Sequence, residues 1–91
     1  MSVTIRIPTQ LRTLTGGAGE VEVEGASVGE ALKALDAAHP GLADRLFDEA
    51  GNLRRFVNVF VADEDVRFLD GLDTALVAGQ TISLVPAVAG G

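Results

Sequence analysis

The last residues of this 91-residue chain, Ala89-Gly90-Gly91, are the ones whose types and order could do chemistry. They follow an apolar, strand-like run, Thr81-Ile82-Ser83-Leu84-Val85-Pro86. A backbone tip without side chains can enter a slot that any Cβ would block. It also ends in a carboxylate on an achiral carbon. Once activated as an acyl derivative, that carbon cannot epimerise, and nothing crowds it under attack. As a free anion at neutral pH it is a poor electrophile, so an activating partner is required.

The remaining candidates for chemistry are weaker. The chain has no cysteine, which excludes disulfides, thiolate metal sites, iron–sulfur clusters and a cysteine nucleophile. Its one histidine, His39, precedes Pro40-Gly41, where a helix end explains it better than a metal or a catalytic role would. Gly16-Gly17-Ala18-Gly19 leads towards a strand with no lysine following, unlike a phosphate-binding loop, and reads as a flexible turn in a hairpin. Asp63-Glu64-Asp65 lacks the spacing of a calcium loop and reads as a solvated turn. No nucleophile, base and orienting group can be assembled, so the chain is not expected to be an enzyme by itself. No metal and no bound cofactor are expected.

Composition narrows the partners. A net charge of −6 disfavours nucleic acid and anionic membrane surfaces alike. No apolar run is long enough to span a bilayer, and no signal-peptide pattern opens the chain, so the expected location is cytoplasmic. At 47% apolar content, one modest core is within reach.

These groups must be positioned by the elements before them. Val3-Thr4-Ile5-Arg6-Ile7 and Glu20-Val21-Glu22-Val23-Glu24 alternate as half-buried strands and form a hairpin with a long loop. Ser27-Val28-Gly29-Glu30 matches a capping box, and Val28, Ala31, Leu32 and Leu35 form a helical stripe. The spacing predicts a further short turn over Leu42 to Phe47 and a polar loop over Asp48 to Arg55. Phe56 to Ala62 reads as the strongest strand, Val66 to Phe68 as a short edge strand, and Gln80 to Pro86 as the last strand. A helix flanked by strands, lying over one face of a small mixed sheet of about five strands, is an α+β arrangement: the β-grasp, or ubiquitin-like, fold. Residues 1–86 form that domain, and residues 87–91 a flexible tail.

Period-2 alternation turns Val57, Val59 and Val61 towards the helix and Phe56, Asn58 and Phe60 away from it. Val85 and Ser83 join them from the last strand, and Arg6 and Thr4 from the first. This uncovered face, with Phe60, Val85, Arg6 and Phe56 as contact residues, is the candidate partner-docking surface.

The ending Val85-Pro86-Ala87-Val88-Ala89-Gly90-Gly91, after Gly79-Gln80-Thr81-Ile82-Ser83-Leu84, resembles that of the small ubiquitin-like sulfur carriers. Molybdopterin synthase small subunits and thiamine-pathway carriers belong to this group. The stretch Arg55 to Phe68 and the last eight residues look most like carriers of an actinobacterial cysteine-biosynthesis branch. The resemblance implies that an E1-like enzyme adenylates the carboxylate of Gly91 with ATP, and that sulfur then replaces AMP to leave a thiocarboxylate. Ala87, Val88, Ala89 and Gly90 would be the tail that partners grip. It further implies a pyridoxal-phosphate enzyme of the cysteine synthase type as sulfur acceptor and a metallopeptidase that frees the product. Carriers for thiamine, molybdenum cofactor or secondary metabolites, a ubiquitin-like modifier, and an inert interaction module remain as alternatives. The chain holds no nucleotide-binding loop, so ATP would be bound by the activating partner.

Overall fold

The computed structural model describes residues 2–54 and 57–86. Strands β1 (Ser2–Arg6) and β2 (Glu20–Glu24) pair antiparallel, from Ser2↔Glu24 to Arg6↔Glu20, as their alternation implies. Helices α1 (Val28–Ala38) and α2 (Leu42–Leu46) follow, then β3 (Val57–Val61), β4 (Glu64–Asp65) and β5 (Thr81–Pro86). The sheet order is β2-β1-β5-β3-β4. The first and last strands therefore lie side by side at its centre, parallel, while β5 runs antiparallel to β3. This is the expected mixed β-grasp sheet.

The apolar side chains sort as a period of two requires. Val3, Ile5, Val57, Val59, Val61, Ile82 and Leu84 are buried from the sheet, and Val28, Ala31, Leu32 and Leu35 are buried from α1. Leu42 and Leu46 of α2 complete this core. The start of α1 is capped from both sides. The Ser27 hydroxyl accepts from the Glu30 N–H at 3.2 Å, and the Glu30 carboxylate reaches back to the Ala26 N–H, also at 3.2 Å. His39 ends the helix, its N–H donating to the Leu35 carbonyl at 2.8 Å. The Asp36 carboxylate then accepts from the N–H groups of Gly41 and Ala43, fixing the angle into α2.

Two expectations are corrected, and one loop proves more ordered than its sequence suggests. The β1–β2 connection is not merely a flexible glycine turn: Thr9–Thr15 forms a 3-10 helix. Thr15 is buried, its hydroxyl lies 3.1 Å and 2.9 Å from the Arg12 and Ala18 carbonyls, and Gly17 N–H donates to Arg12 at 2.7 Å. Buried polar partners of this kind hold a loop in one shape. The turn after β3 falls at Ala62-Asp63, both left-handed, rather than at Asp63-Glu64-Asp65. The edge strand is accordingly Glu64–Asp65, and Val66–Phe68 is a 3-10 turn instead of a strand. Asp65 is the cause: its carboxylate accepts from the Arg67 N–H at 2.8 Å, offering the backbone a local partner in place of a ladder.

The β4–β5 connection is clipped onto the start of α1. Val28 N–H donates to Thr74, Leu76 N–H donates to Ala26, and Ser27 bridges Ala75. The strand that leads to the tail is thus tied to both the sheet and the helix.

Candidate docking face and tail exit

On the face opposite α1, strand register assembles a row. Glu20 pairs with Arg6, Arg6 with Ser83, Ser83 with Phe60, and Phe60 with Asp65. Side chains on register partners stand about 5 Å apart at Cβ, so this row is a continuous strip. Its centre is the half-buried pair Ser83 and Phe60, and its rim is charged. Two residues further along β5, Val85 pairs with Asn58 and is 42% exposed. An apolar centre with a charged rim is the anatomy of a protein-docking surface.

Of the residues expected from sequence, Arg6, Phe60 and Val85 are brought together on this face. Phe56 and the tail residues Ala87, Val88, Ala89, Gly90 and Gly91 lie outside the described residues. The tail root is fixed nevertheless: the backbone of Pro86 is still in register with Val57. β5 therefore delivers the tail at the end of the sheet where Val85 and Asn58 meet.

Two arginines at this site were not anticipated. Arg67 donates to the Asn58 side chain at 2.6 Å and to the carbonyls of Val57 and Arg54 at 2.8 Å and 3.0 Å. β4 reaches only Phe60 and Val61, so Arg67 occupies the edge that β4 is too short to pair. Its one sequence signal is Asp65 two residues earlier, whose turn aims the chain back at β3. Arg12 is set beside the tail root by the 3-10 helix, and no periodic pattern marks that segment. Next to Arg67, Phe68 is 86% exposed, an aromatic that the strand assignment had concealed.

Among the described residues there is no cluster able to hold a metal ion, and no helix is long and apolar enough to cross a membrane.

Comparison with known proteins identifies the family. The chain is 47% identical over 93 residues to the sulfur carrier protein CysO of Mycobacterium tuberculosis, with 100% of each chain covered. It is 44% identical over 66 residues to small archaeal modifier protein 3 of Haloferax volcanii, spanning 72% of this chain and 71% of that one. It superposes on a chain of the Amycolatopsis orientalis BexX/CysO complex with a TM-score of 0.92 and 49% identity, covering 98% of this chain and 99% of that one. The ThiS family matches residues 5–91, from the central strand β1 through the tail. The sheet that delivers the tail and the tail itself are thus matched as one unit, and the chain belongs to the ThiS family.

Proposed function

We propose that this chain is a sulfur carrier protein, a co-substrate rather than an enzyme, whose terminal Gly91 carboxylate is adenylated and converted to a thiocarboxylate. The observation that carries this reading is 47% identity over the full length to a sulfur carrier protein. The chain's own residues supply three things. Gly90 and Gly91 give an unhindered acyl carbon. Residues 87–91 give reach: five residues at about 3.4 Å each span roughly 17 Å. The Phe60–Ser83–Val85 face gives the affinity that offsets the entropy of ordering the tail in a partner's site.

In this scheme an E1-like enzyme binds ATP and activates Gly91. A pyridoxal-phosphate enzyme of the cysteine synthase type takes the sulfur, and a metallopeptidase releases the product. The similarity to CysO favours cysteine biosynthesis as the destination. The test is intact-protein mass spectrometry after incubation with the adenylating enzyme, ATP and a sulfide source. The expected product replaces one oxygen by one sulfur, and fragmentation locates it at Gly91.

A second reading has its own observation, the 44% identity to a small archaeal modifier protein. A modifier would form an isopeptide to lysine. Branched lysine conjugates in the source cells, with no sulfur-for-oxygen exchange at Gly91, would favour it over the carrier.

A further inference from the structure

Beside the tail root lies a cavity of about 590 Å³, lined by Arg6, Arg12, Glu20, Ser83 and Val85 among others. The chain holds seven lysines and arginines against thirteen acids, yet two guanidinium groups share this one hollow with a single carboxylate. That carboxylate is loosely held: Arg6 and Glu20 are 3.7 Å apart and both side chains are more than half exposed. Pairs of this kind contribute little and are readily exchanged.

Arg12 is seated rather than free to swing. Its Nε donates to the Ile7 carbonyl at 3.0 Å, and its backbone carbonyl accepts from Gly17. Its guanidinium lies over Gly19, where an added Cβ would come within 3.2 Å of Nη2. Among the described residues no acid lies within ion-pair distance of Arg12, and its two Nη groups have no protein acceptor. A guanidinium held by Nε with both Nη groups unused is arranged for two-point contact with a carboxylate.

The backbone beside it is also unpaired. The β1–β5 ladder ends at Arg6↔Ser83; Ile7 then gives its N–H to Gly19, and Pro8 has none to give. Beyond that ladder β5 has no further strand partner on this flank among the described residues, and because Pro86 has no N–H the flank offers carbonyl acceptors only, beginning with Leu84. Carbonyls beside two guanidinium groups can accept from the N–H groups of an extended peptide, donors that a free anion lacks.

From these observations we infer that the cavity is a docking socket for an extended acidic segment of the activating partner, one carboxylate of which is read by Arg12 and Arg6. The inference rests on the carrier reading above and names the chemistry of the partner's side. It also places an attractive contact on a chain whose net charge of −6 would otherwise repel such a segment.

The experiment is ATP–pyrophosphate exchange by the adenylating enzyme, with the full chain as varied substrate. Arg12→Gln and Arg6→Gln should each raise the KM for the carrier about tenfold, and the double variant about a hundredfold, with kcat within about twofold of wild type. The double variant should also lose most of the salt dependence of KM. Gly19→Ala, which shifts the guanidinium by only a few tenths of an ångström while keeping its charge, should raise KM far less than Arg12→Gln does. Arg6 is exposed, so Arg6→Gln keeps the test alive if Arg12 variants fold poorly by circular dichroism. An unchanged KM in Arg6→Gln and in the double variant, with active wild type, overturns the socket and spares the carrier reading. Wild type inactive in exchange sinks both. Titration with inorganic phosphate forms the last arm: binding lost in the double variant while KM stays unchanged makes the cavity a small-anion site and overturns the inference.

Discussion

Phe60 and Ser83 are direct register partners across β3 and β5, and Ser83 is also the partner of Arg6 across β1. A small hydroxyl thus sits between an aromatic and a guanidinium at the middle of the uncovered face. A partner approaching there meets an apolar surface on one side and a donor on the other. Val59, the neighbour of Phe60 in sequence, points the opposite way and is 1% exposed.

This contrast gives the first prediction. Phe60→Ala should cost about 1 kcal/mol of stability, since it removes a cross-strand pair on a half-buried face, yet raise the KM for the adenylating partner about tenfold or more. Val59→Asp should cost about 4 kcal/mol or more by burying an unpaired charge. Urea denaturation and exchange kinetics on both variants separate the two faces. Comparable stability losses would place Phe60 in the core.

Deletion of Gly91 should leave the fold intact and abolish loading. The core is complete at Leu84, while the acyl carbon would move back by one residue, about 3.4 Å, and miss the reacting phosphate. Circular dichroism and pyrophosphate exchange check the two halves. Normal exchange by the shortened chain would remove Gly91 from its role.

The turn joining β3 to β4 places Ala62 at φ 51° and Asp63 at φ 67°. Two successive left-handed residues form the hairpin turn that asparagine and glycine favour, and here neither is present. Replacing Ala62→Asn together with Asp63→Gly should stabilise the domain by about 1 kcal/mol. Thermal unfolding measures it; a lowered midpoint would mean that one of the native side chains makes a contact worth more than the strain.

Arg67→Ala should destabilise by roughly 1–2 kcal/mol, because Val57, Arg54 and Asn58 lose their donor together. The local consequence is more informative. Amide exchange at residues 57 and 58 should rise more than at Val59 to Val61, since only the first part of that edge depends on the guanidinium. Uniform acceleration along β3 would refute the edge role.

Much of this site can be read from sequence because two periodicities carry it. Alternation in Val57-Asn58-Val59-Phe60-Val61 and Ile82-Ser83-Leu84-Val85 separates core from docking face, and the capping box at Ser27 marks the helix start. Local backbone chemistry is harder to read. Ala62 adopts a left-handed conformation that its residue type disfavours, so the residue types point to a turn one residue late, at Asp63-Glu64-Asp65, and to an edge strand at Val66 to Phe68 instead of Glu64–Asp65. Thr9–Thr15 has no amphipathic period, and its order depends on a buried threonine satisfied by carbonyls within the same loop. Arg12 and Arg67 were invisible for one reason: each acts through backbone carbonyls that only the folded chain brings within reach.

The parallel pairing of β1 with β5 has a consequence for how the molecule is made. Residues 4–6 find their partners at 81–83, so the centre of the sheet closes across nearly the whole chain. Such contacts form late and slowly, because loop entropy is lost before they contribute. On the ribosome β1 and β2 can pair early, but the slot between β1 and β3 stays empty until β5 has emerged. The strip Arg6–Ser83–Phe60 therefore comes into being only when β5 inserts. A nascent chain whose β5 has not yet emerged therefore presents no assembled strip, and the face and the tail become available together.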